Sequence, residues 1–160
     1  MNAIHYDPNN QDAYACIGFA LMKDGRYEEA VGFFDYAVQL GQQTSDIYLN
    51  RGRAYLLSGN ADNARMDFNQ ALSLDNENPE VFYNRGVACQ LLNDLEGAVA
   101  DYDQVLALEP SHTSAQEQKT VCLNKLQVEK EELVAKGASS TSSSRKKSKK
   151  RGFLNMGEFR

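Results

Sequence analysis

Histidine, cysteine and long apolar runs are scarce in this chain of 160 residues. The two histidines, His5 and His112, lie far apart, and neither has a Ser, Cys or carboxylate partner at nucleophile or metal spacing. No GxxxxGKS or GxxxxGKT run, no GxGxxG and no HExxH occurs. Enzymatic activity is therefore not expected, and no catalytic residue, metal or cofactor is assigned. The three cysteines, Cys16, Cys89 and Cys122, are odd in number and show neither CxxC nor CxH spacing. They read as intracellular thiols, not as a disulfide frame or a zinc site. No stretch approaches the roughly 18 apolar residues that a membrane span needs, so no membrane partner is expected. The residues from Met1 to Pro8 form neither a basic nor an apolar leader, and no secretory signal is expected.

What is present divides in two. The formal charge of −5 is a mean of unlike parts. Up to Ala138 there are 10 Lys+Arg against 21 Asp+Glu, and from Ser139 onward 7 against 1. An acidic body carries a basic tail.

The body repeats itself. Gly18, Gly52 and Gly86 recur at a spacing of 34, as do Ala30, Ala64 and Ala98, and Phe34, Phe68 and Tyr102. Tyr14, Tyr48 and Phe82 form a fourth column, and Ala37, Ala71 and Val105 a fifth. Within the first copy, Tyr14, Ile17 and Leu21 recur at helical spacing until Asp24-Gly25 breaks the run. A second helix then carries Tyr27, Ala30, Val31, Phe34, Ala37 and Val38. Glycine facing alanine would let the two backbones approach, with the large ring alongside. One hairpin cannot bury its apolar face alone, so copies must stack.

On these residues the chain resembles the tetratricopeptide repeat family, whose pattern is an aromatic, Leu-Gly, Tyr, Ala-x-x-x-Phe and Pro within 34 residues. The leucine place holds Ile17, Arg51 and Arg85, and the closing proline survives only as Pro110. The resemblance implies an all-α solenoid of stacked antiparallel helix pairs. Its expected parts are the end of a partial repeat over 1–10, full repeats over 11–44, 45–78 and 79–112, and a capping helix over 113–136. A disordered Ser-rich and basic tail is expected over 137–160. The chain reads as beginning inside a repeat, either as a fragment of a longer array or as a gene without its upstream repeats. Ser114 and Glu117 form a candidate capping box. Gln116 and Thr120 replace the aromatic and the glycine, as a terminal helix requires. Ala115, Cys122, Leu126 and Leu133 are its expected inner stripe.

The resemblance also implies a concave groove lined by the first helix of each pair, and an adaptor or scaffold function. Matched residue by residue, the groove candidates are Asp12, Phe19, Asp46, Leu49, Asn50, Arg53, Glu80, Tyr83, Asn84, Val87 and Leu91. Around them stand Ala15, Cys16, Met22, Lys23 and Leu57. Asn50 and Asn84 share one column, and a carboxamide can both donate to and accept from an extended peptide backbone. Asp12, Asp46 and Glu80 would line one rim with carboxylates and favour a protein segment with apolar and basic residues. The family's best-known activity is capture of the acidic C-termini of heat-shock chaperones through Lys and Asn, then Asn, then Lys and Arg. The matching places hold Ala15 and Phe19, then Asn50, then Glu80 and Asn84, so capture of that type is not expected.

The run Arg145, Lys146, Lys147, Ser148, Lys149, Lys150 and Arg151 fits a nuclear import signal or a solubilising tail. Nucleic acid is disfavoured, since no aromatics interleave the charges and the acidic body repels a polyanion. Phe153, Leu154, Met156 and Phe159 make the tail a candidate ligand for the groove itself. The alternative function is structural, a scaffold segment that self-associates weakly through its first helix. The expected compartment is the cytoplasm, with the nucleus open if the basic run is read.

Overall fold

The computed structural model describes residues 10–149, with side-chain surroundings described over 10–136. Seven helices and no strand occur among them: α1 (Gln11–Lys23), α2 (Tyr27–Gln39), α3 (Ser45–Leu57), α4 (Ala61–Leu74), α5 (Pro79–Leu91), α6 (Leu95–Leu108) and α7 (Thr113–Lys149). Compactness divides the chain into Met1–Leu123 and Asn124–Arg160.

Five helices of the first unit carry a side-chain cap at their start. The side chains of Asn10, Thr44, Asn60, Asn78 and Asp94 accept the orphan N–H groups at the starts of α1, α3, α4, α5 and α6. Pro79 adds a fixed φ at the start of α5. The turn inside each pair is the same in all three copies. Gly25, Gly59 and Asn93 sit at φ 75°, 85° and 59°, the left-handed region that glycine and asparagine tolerate. The following residue closes the turn, with the Arg26, Asn60 and Asp94 N–H groups donating to the Leu21, Tyr55 and Cys89 carbonyls.

The core is three equivalent layers. Ala30, Ala64 and Ala98, and the rings of Phe34, Phe68 and Tyr102, are fully buried. The glycine column lies directly against the rings. A Cβ added at Gly18, Gly52 or Gly86 would lie 2.8, 2.6 or 2.8 Å from Cε1 of Phe34, Phe68 or Tyr102. Hairpins α1–α2, α3–α4 and α5–α6 stack through α2 against α3 and α4 against α5. The first helices also touch in succession, α1 with α3 and α3 with α5, which makes them one wall.

The last helix departs from expectation in two respects. Its start is capped by His112, whose Nδ1 accepts from the Ala115 N–H at 3.2 Å. The box of Ser114 and Glu117 is displaced because the helix already begins at Thr113. The backbone also stays helical to Lys149, beyond the expected limit at residue 136, since serine costs a helix only a few tenths of a kcal/mol per residue relative to alanine, about 0.5. Gln116 and Thr120 are exposed, and Ala115 and Cys122 are buried. In the second unit Leu126 is buried, whereas Leu133 is 73% exposed and leaves the expected stripe. No helix among the described residues is long and apolar enough to cross a membrane. The expected partial repeat up to residue 9, the basic residues Lys150 and Arg151, and Phe153, Leu154, Met156 and Phe159 lie outside the described residues.

Candidate functional site

The wall made by α1, α3 and α5 brings most of the expected residues to one surface, with different roles from those the pattern suggests. Asp12, Asp46 and Glu80 stand in the first turns of the three helices and are exposed. Two of them are already engaged. Gln42 Nε2 donates to Asp12 Oδ1 at 2.9 Å, and Arg53 Nη1 donates to Glu80 Oε1 at 2.9 Å. The three carboxylates of the expected rim are all exposed, and among the described residues Asp46 is the one with no side-chain hydrogen bond.

Asn50 and Asn84 are half-buried and behave alike. Each Nδ2 donates to the backbone carbonyl four residues earlier, Asp46 or Glu80, at 2.7 Å. One amide proton is thus spent inside the helix, while the carboxamide oxygen accepts no bond among the described residues. Arg53 lies one turn beyond Asn50, and its partner Glu80 lies one turn before Asn84. These four residues form a continuous polar patch across α3 and α5.

Leu49 is removed from the site. It is 4% exposed and packs in the core with Tyr48, Ala64 and Phe68. Helix α3 has a hairpin on either side, so three consecutive residues, Ile47, Tyr48 and Leu49, are buried. Phe19 is half-buried and packs edge-on against Phe34, with centroids 5.2 Å apart. Tyr83 is held by a stack on His112 at 5.1 Å and a tilted contact with Tyr102 at 5.7 Å. Val87 is half-buried, whereas Leu57 and Leu91, one repeat apart, are 54% and 64% exposed.

A charged ladder behind the wall was not anticipated. Arg51 donates to both oxygens of Asp67 on α4 and to Asp35 on α2. Arg85 repeats the arrangement one copy later, with Asp101 on α6 and Asn69 on α4. Lys119 reaches Asp103 at 2.6 Å. Tyr48 and Phe82 lie beneath the two guanidinium groups, at 5.4 and 5.6 Å. The signal was present in the sequence: the arginines that replace the expected leucine recur at 34, and their partners stand 16 residues to either side. Burial pushes the Asp67 carboxyl above the usual aspartate value, opposed by the bonds from Arg51. Burial also works against the charge on Arg51, but the bonds to Asp67 and Asp35 outweigh it and hold the guanidinium more firmly protonated.

Among the described residues no group of three or more His, Cys, Asp or Glu could hold a metal ion, and no disulfide joins Cys16, Cys89 or Cys122. The wall offers shape, carboxamides, one ion pair and exposed leucines.

Profiles of the tetratricopeptide repeat match residues 1–32 and 79–112, and a TPR repeat profile matches residues 52–93. Among curated proteins no sequence matches. Several solved structures are similar. The first TPR of Spaghetti (RPAP3), bound to the HSP90 peptide SRMEEVD, has 26% identity and a TM-score of 0.71, covering 76% of this chain and 96% of its own. The second TPR domain of human RPAP3, in complex with the HSP70 peptide SGPTIEEVD, has 27% identity and a TM-score of 0.66, covering 71% and 98%. MamA, at 18% identity and a TM-score of 0.77 over 92% of this chain and 86% of its own, shares the fold.

Proposed function

Since the chain belongs to the tetratricopeptide repeat family, we propose that it is a non-catalytic interaction module whose first-helix wall holds an extended segment or helix of another protein. The observation that carries this reading is the pair Asn50 and Asn84. The two carboxamides have the same conformation one repeat apart, each with its oxygen free to accept a backbone N–H from a ligand. The similar RPAP3 domains are bound to peptides, which supports the class of ligand. The partner proposed here differs in charge: Asp46 and the exposed Leu57 and Leu91 favour basic and apolar side chains. The protein acts in the cytoplasm, or in the nucleus if the run Arg145–Arg151 is read as an address.

Peptides selected from a displayed random library on the intact chain test this. They should bind Asn50→Ala/Asn84→Ala at least about tenfold more weakly, as expected when two hydrogen bonds of about 1 kcal/mol each are lost. Equal binding, with an unchanged helical spectrum, would refute the wall as the site.

One observation favours a second reading. The first copy carries Ile17 and Phe33 where the next holds Arg51 and Asp67, and Tyr36 beside Tyr14 is 55% exposed. A face without the charged ladder suits contact with another copy, and light scattering over a concentration series reads it directly.

A further inference from the structure

We propose that Glu80 is the specificity determinant of the wall: by occupying Arg53 it closes the wall to acidic segments and leaves it selective for neutral or basic ones. The inference rests on the wall reading above and names the chemistry of its ligand. Arg53 is the cation between the two asparagines, one turn from Asn50 on the same helix. Its Nη1 is 2.9 Å from Glu80 Oε1 on the neighbouring helix, and the two side chains are 41% and 53% exposed. The pair is therefore open to solvent and to a ligand; it is not a buried structural clip like that of Arg51 and Asp67. The Glu80 carboxylate thus occupies the guanidinium edge that the carboxylate of an acidic ligand would otherwise have to take.

Two features make this occupation selective. Glu80 is held at its own backbone from both directions, its N–H donating to Asn78 Oδ1 at 3.0 Å and its carbonyl accepting from Asn84 Nδ2 at 2.7 Å. Its side chain is thereby delivered to Arg53 from a fixed point. An acidic ligand must break the pair and then face the displaced carboxylate, whereas a neutral or basic ligand can leave the pair intact. Exposed pairs are individually weak, and charges on such a surface act mainly by rejecting like charge. The selectivity thus comes from Glu80 more than from the strength of the bond.

The test uses the intact chain and two labelled probes. One is a heptapeptide of Leu, Ala and Glu with a free carboxyl end. The other has Lys for each Glu and an amidated end. Fluorescence anisotropy at low and high salt compares the wild type with Glu80→Gln, Arg53→Gln and the double variant, all at exposed positions. Wild type should prefer the basic probe. Glu80→Gln should gain about tenfold for the acidic probe at low salt, a gain that fades at high salt and vanishes in Arg53→Gln/Glu80→Gln. Arg53→Gln should strengthen the basic probe. No gain in Glu80→Gln, or a gain that survives in the double variant, would overturn the proposal. Failure of the wall reading looks different: the basic probe would then bind wild type and Asn50→Ala/Asn84→Ala equally, whatever Glu80 does.

Discussion

Arg51 on α3 grips Asp67 on α4 through Nε at 2.8 Å and Nη2 at 2.6 Å, while its Nη1 reaches Asp35 on α2 at 2.7 Å. One guanidinium thereby ties its own hairpin to the one before it. The side chains of Arg51 and Asp67 are only 15% and 8% exposed, so neither charge is left to water if the other is removed.

Breaking the pair from one side should be costly. Arg51→Ala leaves Asp67 buried without its counter-charge, and a loss of about 3 kcal/mol is expected. Replacing both groups by apolar residues should recover most of it. Arg51→Ile/Asp67→Phe installs the residues that stand at those places in the first copy, Ile17 and Phe33. Urea unfolding of the two variants measures both. A double variant as unstable as the single one would show that the loss is packing, not uncompensated charge.

The glycines separate in the same way. At Gly52 an added Cβ would meet the Phe68 ring at 2.6 Å, whereas at Gly32, inside α2, it would meet nothing within 4 Å. Gly52→Ala should therefore cost about 1–3 kcal/mol through overpacking. Gly32→Ala should stabilise by up to about 1 kcal/mol through the helix preference of alanine. Opposite shifts in melting temperature are the expected result.

These examples show which parts of the molecule the sequence made legible. A column must be filled alike in every copy when the same ring sits on the same glycine, so Gly18, Phe34 and their equivalents were readable at a spacing of 34. The third turn carries no glycine to mark it, and Asn93 takes the left-handed region there. Partners across a seam were harder. Arg51 and Arg85 appeared only as departures from a leucine, because the partners of each lie on two other helices whose mutual placement no local pattern gives. Leu49 was misassigned for a related reason: a helix with neighbours on both sides buries more than one stripe. Glu80 was read as the wrong sign for an acidic ligand, but its bond to Arg53 required the approach of α3 to α5.

Alkaline pH should weaken the third repeat. Burial raises the Tyr102 hydroxyl above its usual 10.0 and the Cys89 thiol above its usual 9.0, with smaller contributions from neighbours such as Cys122 and Asp101. As pH rises through these ordinary values the unfolded chain releases protons that the folded one retains. Stability then falls with increasing pH. Tyr102→Phe removes the larger contributor and matches Phe34 and Phe68 in the same column. It also removes the hydroxyl that donates to Gln90 Oε1 at 2.5 Å, at about 1 kcal/mol. The variant should start lower at neutral pH and lose stability less steeply above it. Parallel pH profiles would mean that Tyr102 ionises equally in both states.

The three cysteines should report the site and the fold separately. Cys16 is exposed on α1 in the column of Asn50 and Asn84, whereas Cys89 and Cys122 are 5% and 0% exposed. The thiolate is the reactive form, and burial holds the Cys89 thiol above its ordinary value, which suppresses that form further. A maleimide near neutral pH should add one group per native chain, at Cys16, and three in denaturant, as counted by mass spectrometry. A peptide lying along the wall should slow the first addition and leave the other two unchanged. Labelling of Cys16 at an undiminished rate with the peptide bound would place the ligand away from α1. Native labelling of Cys89 at a comparable rate would show that the pair α5 and α6 opens far more readily than its buried Tyr102 and Val105 allow.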